Sequence, residues 1–134
     1  MPDETLRSLR EMSTPAAMSL SITHKDQDQR PVLVLAGELD AATAPQLATV
    51  TLDLVEHGAR FVIVDASGLT RCDIDGLSVF VQIEGRLRQR AGRLAIVAPS
   101  HAVREALDAE GLADSFLVAP TVAGALYAIH RDHP

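Results

Sequence analysis

Two aspartates beside a glycine are the residues whose types and spacing best suggest a site. Asp73 and Asp75 stand two positions apart where a polar segment passes into an apolar helical pattern, and Gly76 follows directly. Side chains two positions apart do not share a helical face, but both carboxylates can lie near the positive, amide-rich end of a helix. We expect Asp75 to cap this helix. A cap contributes about 1 kcal/mol and needs no further function.

The other reactive side chains indicate no catalytic chemistry. The one cysteine, Cys72, excludes an internal disulfide, and we interpret it as core or loop filler whose pKa neighbouring carboxylates would raise. The five histidines lack ligand spacing except for His130 and His133, which we expect to be solvated. Neither a phosphate-binding glycine loop nor a nucleophile elbow occurs in the sequence. We therefore expect no metal, no cofactor and no enzymatic activity.

Composition favours a single cytoplasmic domain. A chain of 134 residues can bury one core, and its net charge of −6, with basic residues scattered, argues against a nucleic-acid partner. No apolar run approaches the roughly 20 residues that span a bilayer, so membrane insertion is not expected. Residues 1–17 mix charged residues, Ser, Thr and Pro without apolar periodicity. They are interpreted as a flexible extension before one domain at residues 18–134.

Hydrophobic periodicity predicts alternating strands and helices. A hairpin opens the domain, Arg60 to Asp65 has the composition of a central strand, and Ser67 to Arg71 is interpreted as a turn. The order β-β-α-β-α-β-α-β-α predicts an α/β fold, with a mixed, mostly parallel sheet of about five strands and four covering helices. Its strands are expected at 19–23, 31–35, 60–65, 94–97 and 116–118, and its helices after Thr43, Asp75, Ser100 and Thr121. Function is expected in loops beyond the strand ends, including Thr70 to Leu77.

Several motifs together resemble the STAS domain family over about residues 18 to 130. They are Gly37-Glu38-Leu39-Asp40, Val62-Ile63-Val64-Asp65, Gly68-Leu69-Thr70, Asp73-Ile74-Asp75-Gly76-Leu77, Gly92-Arg93-Leu94, Pro99 and Gly111-Leu112. The resemblance implies a regulatory, protein-binding module of the bacterial anti-sigma factor antagonist type. In such antagonists a kinase that doubles as the anti-sigma factor phosphorylates a hydroxyl at the start of a helix. The unphosphorylated form binds the anti-sigma factor and releases sigma.

One position departs from the family pattern. Asp73 matches the motif's aspartate, Ile74 replaces its first serine, and Asp75 stands at the phosphoacceptor position, followed by matching Gly76 and Leu77. The carboxylate of Asp75 partly imitates a phosphoserine, which carries about −1.5 to −2 charges. Either Asp75 holds the surface in a phosphorylated-like state that weakens contact with an acidic partner, or a co-adapted partner binds constitutively.

The resemblance implies a partner-binding surface and an anti-sigma factor of the serine-kinase type as the partner. The surface comprises Gly37, Glu38, Asp40, Thr70, Asp73, Ile74, Asp75, Gly76, Leu77 and Ser78. Ser67, Thr70 and Ser78 are either substitute phosphoacceptors or local hydrogen-bonding groups.

Three alternatives stand beside this interpretation. One is a STAS scaffold or docking subunit of a stress-signalling or lipid-transport complex without a phosphorylation cycle. Another is a small-molecule module. A weak homodimer and the identity of the sigma pathway stay open. A receiver-like phosphoacceptor domain built on Asp65 is disfavoured, because the only lysine, Lys25, falls in the opening hairpin.

Overall fold

A five-stranded sheet whose strands follow chain order forms the centre of the molecule, in a computed structural model that describes residues 19–132. Strand β1 is antiparallel to β2, and β2 to β5 are parallel to one another. The elements are β1 (Leu20–Gln27), β2 (Arg30–Leu39), α1 (Ala44–Glu56), β3 (Phe61–Cys72), α2 (Ile74–Arg88), β4 (Arg93–Val97), α3 (His101–Ala109), β5 (Leu117–Ala119) and α4 (Val122–Asp132). The predicted fold class and element order are confirmed, whereas the extension predicted for residues 1–17 lies outside the described residues.

The opening hairpin is confirmed, and its turn has a clear geometry. Asp28 and Gln29 connect β1 to β2 with φ angles of 51° and 64°. Two successive residues with positive φ match the right-handed twist of paired strands, which is why two-residue hairpin loops favour them. The hairpin places β1 along the outer edge of β2.

Helices cover both faces of the sheet, three on one face and one on the other. On the first face, side chains of β3 such as Val62 and Val64 pack with α1, α2 and α3. On the second face, Phe61 and Ile63 pack with residues of α4 that include Leu126. Both faces of the first half of β3, from Phe61 to Val64, are therefore buried, as the nearly continuous apolar run there predicted.

Two predicted helix caps are confirmed, and a third position behaves differently. The hydroxyls of Ser100 and Thr121 accept backbone N–H groups three residues on, at the starts of α3 and α4. Thr43 precedes α1, but its side chain makes no cap bond to the helix. Its Oγ1 instead accepts from the Asp40 N–H at 3.0 Å and donates to the Glu38 carbonyl at 2.8 Å. The residue secures the turn before α1.

The predicted turn at Ser67 to Arg71 is wrong, because β3 continues through it to Cys72. Pairing with β2 extends along this stretch with two register shifts, and ends at the pair Leu39 and Cys72. Polar residues around a glycine are typical of a turn, which is why the sequence predicted one here. A bulged strand accommodates the same composition. The consequence is that β2 and β3 end side by side, next to the start of α2.

Candidate functional site

The start of α2 is fixed against the end of β2. The Asp73 N–H donates to the Leu39 carbonyl at 3.3 Å. Gly76, in the first turn of the helix, is buried against Leu39, and a Cβ placed there would lie 2.6 Å from the Leu39 carbonyl oxygen. Glycine is required at this position because the helix backbone approaches the strand backbone directly. The start of α2 therefore packs directly against the sheet.

The residue that caps α2 is Asp73, and the prediction that Asp75 caps it is wrong. Asp73 has extended backbone angles, and its Oδ1 accepts the Gly76 N–H at 3.0 Å. Asp75 lies one residue inside the helix, where its side chain projects outward. Its carboxylate is exposed and accepts no hydrogen bond from the described residues. Either carboxylate could cap the helix on sequence alone. Because β3 extends to Cys72, the helix begins directly after Asp73, and Asp73 is therefore the cap.

An exposed ridge runs along the first half of α2. Ile74 is 58% exposed and Val81 is 46% exposed, both high for apolar side chains, whereas Leu77 is buried beneath them. Ser78 lies between them on the surface, and its hydroxyl donates to the Ile74 carbonyl at 2.9 Å. We call Ile74, Asp75, Ser78 and Val81 the α2 ridge.

Shallow grooves flank the α2 ridge on its two sides. The α2–α3 groove has a volume of about 390 Å³ and is lined by Ile74, Leu77, Ser78, Val81, Gln82, Glu110 and Leu112. The α1–α2 groove also has a volume of about 390 Å³ and is lined by Ala41, Ala44, Pro45, Ala48, Asp75, Ser78, Val79 and Gln82. A ridge with apolar tips between two grooves is a shape suited to protein contact.

The strand-end motif before α1 builds the scaffold beneath this surface. Gly37 has a φ of 110° and lies against the Ser19 carbonyl, so a side chain does not fit. The exposed Thr70 donates its hydroxyl to the Gly37 carbonyl at 3.1 Å and thereby joins β3 to β2. Glu38 donates its N–H to the Ser19 carbonyl, and its Oε2 atom is buried without a hydrogen-bond partner among the described residues.

Asp40 is held within its own turn. Its side chain is 6% exposed, and Oδ1 accepts the N–H groups of Ala42 and Thr43 at 3.0 and 3.2 Å. The structure thus gathers the sequence-predicted residues at the strand ends and the α2 start, but with unequal exposure. Asp40, Gly76 and Leu77 are buried, whereas Ile74, Asp75 and Ser78 face solvent.

The three hydroxyls that the sequence offers as candidate phosphoacceptors occupy different surroundings. The hydroxyl of Ser67 donates to the Asp65 carboxylate at 2.7 Å, within β3. Thr70 bridges two strands, as described above, and Ser78 lies on the α2 ridge one turn after Asp75. Each hydroxyl makes a local hydrogen bond, which is the role that residues of this type most often have.

Cys72 is a half-buried thiol at the end of β3. Burial, followed by the charge of Asp73, raises the pKa of Cys72 to about 12. The sequence predicted a raised pKa from neighbouring carboxylates, but burial is the larger cause. A thiol that stays protonated near neutral pH is a poor nucleophile, which supports its interpretation as filler.

Sequence reasoning missed Glu84, a buried carboxylate that stabilises α2. Glu84 is 6% exposed and accepts from Arg88 Nε at 2.9 Å, Arg93 Nε at 2.7 Å and the Leu94 N–H at 3.2 Å. The i, i+4 spacing of Glu84 and Arg88 is readable in the sequence. The bonds to β4 require the tertiary fold. They fix the middle of α2 to the sheet, as Gly76 fixes its start.

The described residues contain neither a candidate metal site nor a helix that could cross a membrane. Between residues 19 and 132, no group of three or more His, Cys, Asp or Glu side chains could hold a metal ion. In the same part of the chain, no helix is both long and apolar enough to cross a membrane.

Comparison with known proteins identifies the family. A family model described as "Mlab, STAS domain" matches residues 22–119. An anti-sigma-B factor antagonist of Staphylococcus aureus (strain NCTC 8325 / PS 47) is 30% identical over 97 residues, covering 72% of this chain and 90% of that protein. The Staphylococcus epidermidis protein of the same name is 31% identical over 94 residues, covering 70% and 84%.

A solved structure of an anti-sigma factor antagonist also has the fold of this chain. The crystal structure of an anti-sigma factor antagonist from Mycobacterium paratuberculosis superposes with a TM-score of 0.76 at 27% identity, covering 84% of this chain and 95% of that one. The motifs, the fold and these matches lead to one conclusion: the chain belongs to the STAS domain family.

Proposed function

We propose that this protein is an anti-sigma factor antagonist, a regulatory module that binds an anti-sigma factor, releases sigma and so controls transcription. The observation that carries the proposal is the α2 ridge, with its exposed Ile74 and Val81 on a helix fixed to the sheet. The names of the relatives supply the class of partner. We assign the role to a single cytoplasmic domain at residues 18–134, acting by binding and not by catalysis.

The energetics of the ridge favour protein binding. Ile74 is 58% exposed, so its burial by a partner contributes roughly 1–2 kcal/mol, and Val81 offers a second anchor. The cap at Asp73 and the close packing of Gly76 hold the helix start in place before a partner arrives. Preorganisation of this kind lowers the entropy cost of association.

Asp75 determines how such binding is regulated. A carboxylate does not accept phosphate from a serine kinase by the route that a serine hydroxyl uses. Its single negative charge is also smaller than the charge of a phosphoserine, which is about −1.5 to −2 near neutral pH. The exposed carboxylate therefore fits a surface of constant charge, and we propose that control by phosphorylation at this position is absent.

A scaffold or docking role is the second candidate, and the same residue favours it. Without a hydroxyl at position 75, a phosphorylation cycle there has no acceptor. The family model that matches the chain also carries the description "Mlab, STAS domain", which names no sigma pathway. This candidate predicts stable co-purification with subunits that have no kinase fold.

The experiment that separates the candidates is a capture from native cytosol. Wild type and Asp75→Ser are compared side by side with ATP present, and captured proteins and phosphosites are identified by mass spectrometry. Capture of a kinase-fold anti-sigma factor, with phosphate only on the introduced serine, supports the antagonist. Capture of the same non-kinase subunits by both forms, without phosphate, contradicts it and supports the scaffold.

A further inference from the structure

The α1–α2 groove combines uncharged walls with one carboxylate. Among the described residues that line it, Ala41, Ala44, Pro45, Ala48 and Val79 are aliphatic, and Ser78 and Gln82 are neutral. Asp75 is the only ionisable one. Its carboxylate is exposed and receives no hydrogen bond from the described part of the chain, so its charge is not neutralised locally.

Such a lining matches the chemistry of one kind of side chain. Arginine and lysine lay their aliphatic stems along apolar surface while the charged head reaches a polar group. Arginine adds a planar guanidinium that donates two parallel hydrogen bonds to a carboxylate. The groove volume of about 390 Å³ leaves room for such a side chain between α1 and α2.

The charge of the whole chain points to the same occupant. The net charge of −6 attracts cationic surfaces and repels anionic ones. Asp75 contributes to this charge and lies in the first turn of α2. Its carboxylate therefore lies on a surface that a basic partner approaches readily.

We propose that the α1–α2 groove receives an arginine side chain of the protein partner, with its stem over Ala44, Pro45 and Ala48 and its guanidinium on Asp75. This assignment rests on the proposed function, which identifies the protein that carries the arginine as an anti-sigma factor. Asp75 then strengthens binding, where a phosphate imitation would weaken it. The aspartate in place of a hydroxyl becomes a specificity determinant for a basic partner.

The test uses small probes with the full chain. N-acetyl-arginine amide is titrated into ¹⁵N-labelled protein and followed by NMR. N-acetyl-citrulline amide, which has the same shape without the charge, is the matched ligand. We expect arginine to shift the amides of Asp75, Ala44 and Ala48 more than citrulline does. Asp75→Asn should raise the apparent Kd for arginine about two- to fivefold, the range for one exposed ion pair.

Glu56→Gln is the control variant, because it removes one exposed carboxylate from the opposite end of α1. It should leave the arginine response of the groove unchanged. Raising the salt concentration should reduce the difference between wild type and Asp75→Asn, since an exposed ion pair is screened.

Three results would overturn the assignment: equal shifts from arginine and citrulline, an unchanged Kd in Asp75→Asn, or arginine shifts spread evenly over remote carboxylates. Its failure is separable from failure of the proposed function. If the groove ignores arginine while Ile74→Arg still abolishes capture of an anti-sigma factor, only the groove assignment falls. If the groove binds arginine as described but no anti-sigma factor is captured, the groove chemistry stands and the partner class is wrong.

Discussion

Replacing Gly76 by alanine is expected to destabilise the protein, although the same change in a helix usually stabilises. The added Cβ would lie 2.6 Å from the Leu39 carbonyl oxygen and 2.8 Å from Leu39 Cγ. Ordinary contacts lie at about 3.5–4.0 Å, so the helix start or β2 must move by roughly 1 Å. That movement strains the 3.3 Å hydrogen bond from the Asp73 N–H to the same carbonyl.

The magnitude follows from two opposing effects. Overpacking of a tight contact costs about 1–3 kcal/mol. Alanine recovers about 0.5–1 kcal/mol through its higher helix propensity. The free energy of unfolding should therefore fall by about 0–2.5 kcal/mol in Gly76→Ala, with a central value of about 1 kcal/mol. At this chain length each 1 kcal/mol corresponds to a change in Tm of about 4 °C.

Gly85→Ala is the matched control in the same helix. Gly85 is exposed, and a Cβ there would meet nothing within 4 Å. This variant should gain about 0.5–1 kcal/mol, so that urea denaturation and thermal melting place the two variants on opposite sides of wild type. If Gly76→Ala is as stable as Gly85→Ala, the close seating of α2 on β2 is wrong.

Three further predictions concern the residues around α2. Asp73→Ala should lower the free energy of unfolding by about 1 kcal/mol because it removes the helix cap, whereas Asp75→Ala should lower it by less than about 0.5 kcal/mol. If urea denaturation gave the opposite order, Asp75 and not Asp73 would be the cap. Glu84→Ala should lower the free energy of unfolding by about 1–3 kcal/mol because the buried Leu94 N–H loses its acceptor, against less than about 1 kcal/mol for Arg88→Ala. Equal losses for the two variants in thermal melts would refute this. Burial raises the pKa of Cys72 to about 12 in the folded state, so the stability that its neutral thiol contributes is present below pH 9 and is lost as pH rises toward 12. Iodoacetamide should accordingly modify the native thiol far more slowly than the urea-unfolded one at pH 9, and equal rates would contradict a buried thiol.

Local chemistry explains which parts of the fold the sequence could predict. The Ser100 and Thr121 caps depend on a hydroxyl three residues before an N–H, which is a local pattern. The central position of β3 follows from its apolar run, because a strand buried on both faces cannot alternate. These inferences needed no knowledge of distant residues.

The errors arise where distant segments decide the local structure. Nothing local distinguishes a turn at Ser67 to Arg71 from a bulged strand, since the answer depends on pairing with β2. Extension of β3 to Cys72 then moves the helix start, which gives the cap to Asp73 instead of Asp75. The burial of Glu84 likewise depends on β4, ten residues further along the chain.

The candidate site was predictable in location but not in exposure. Its motifs marked the strand ends and the α2 start correctly as one region. They did not reveal that Asp40 is held in its own turn or that Gly76 faces Leu39. The grooves on either side of the α2 ridge bring together residues from α1, α2 and the segment after α3, so their shape requires the tertiary structure.

Calorimetric titration of the captured partner onto variants of two exposed apolar residues tests the central claim most directly. Ile74→Arg alters the α2 ridge, and Tyr127→Arg alters α4, which covers the other face of the sheet; Tyr127 is 68% exposed. We predict that an anti-sigma factor binds wild type and Tyr127→Arg with equal affinity and binds Ile74→Arg at least about tenfold more weakly, the loss expected for a central anchor. Equal binding to all three proteins, or a loss confined to Tyr127→Arg, would contradict the assignment of the α2 ridge as the partner surface.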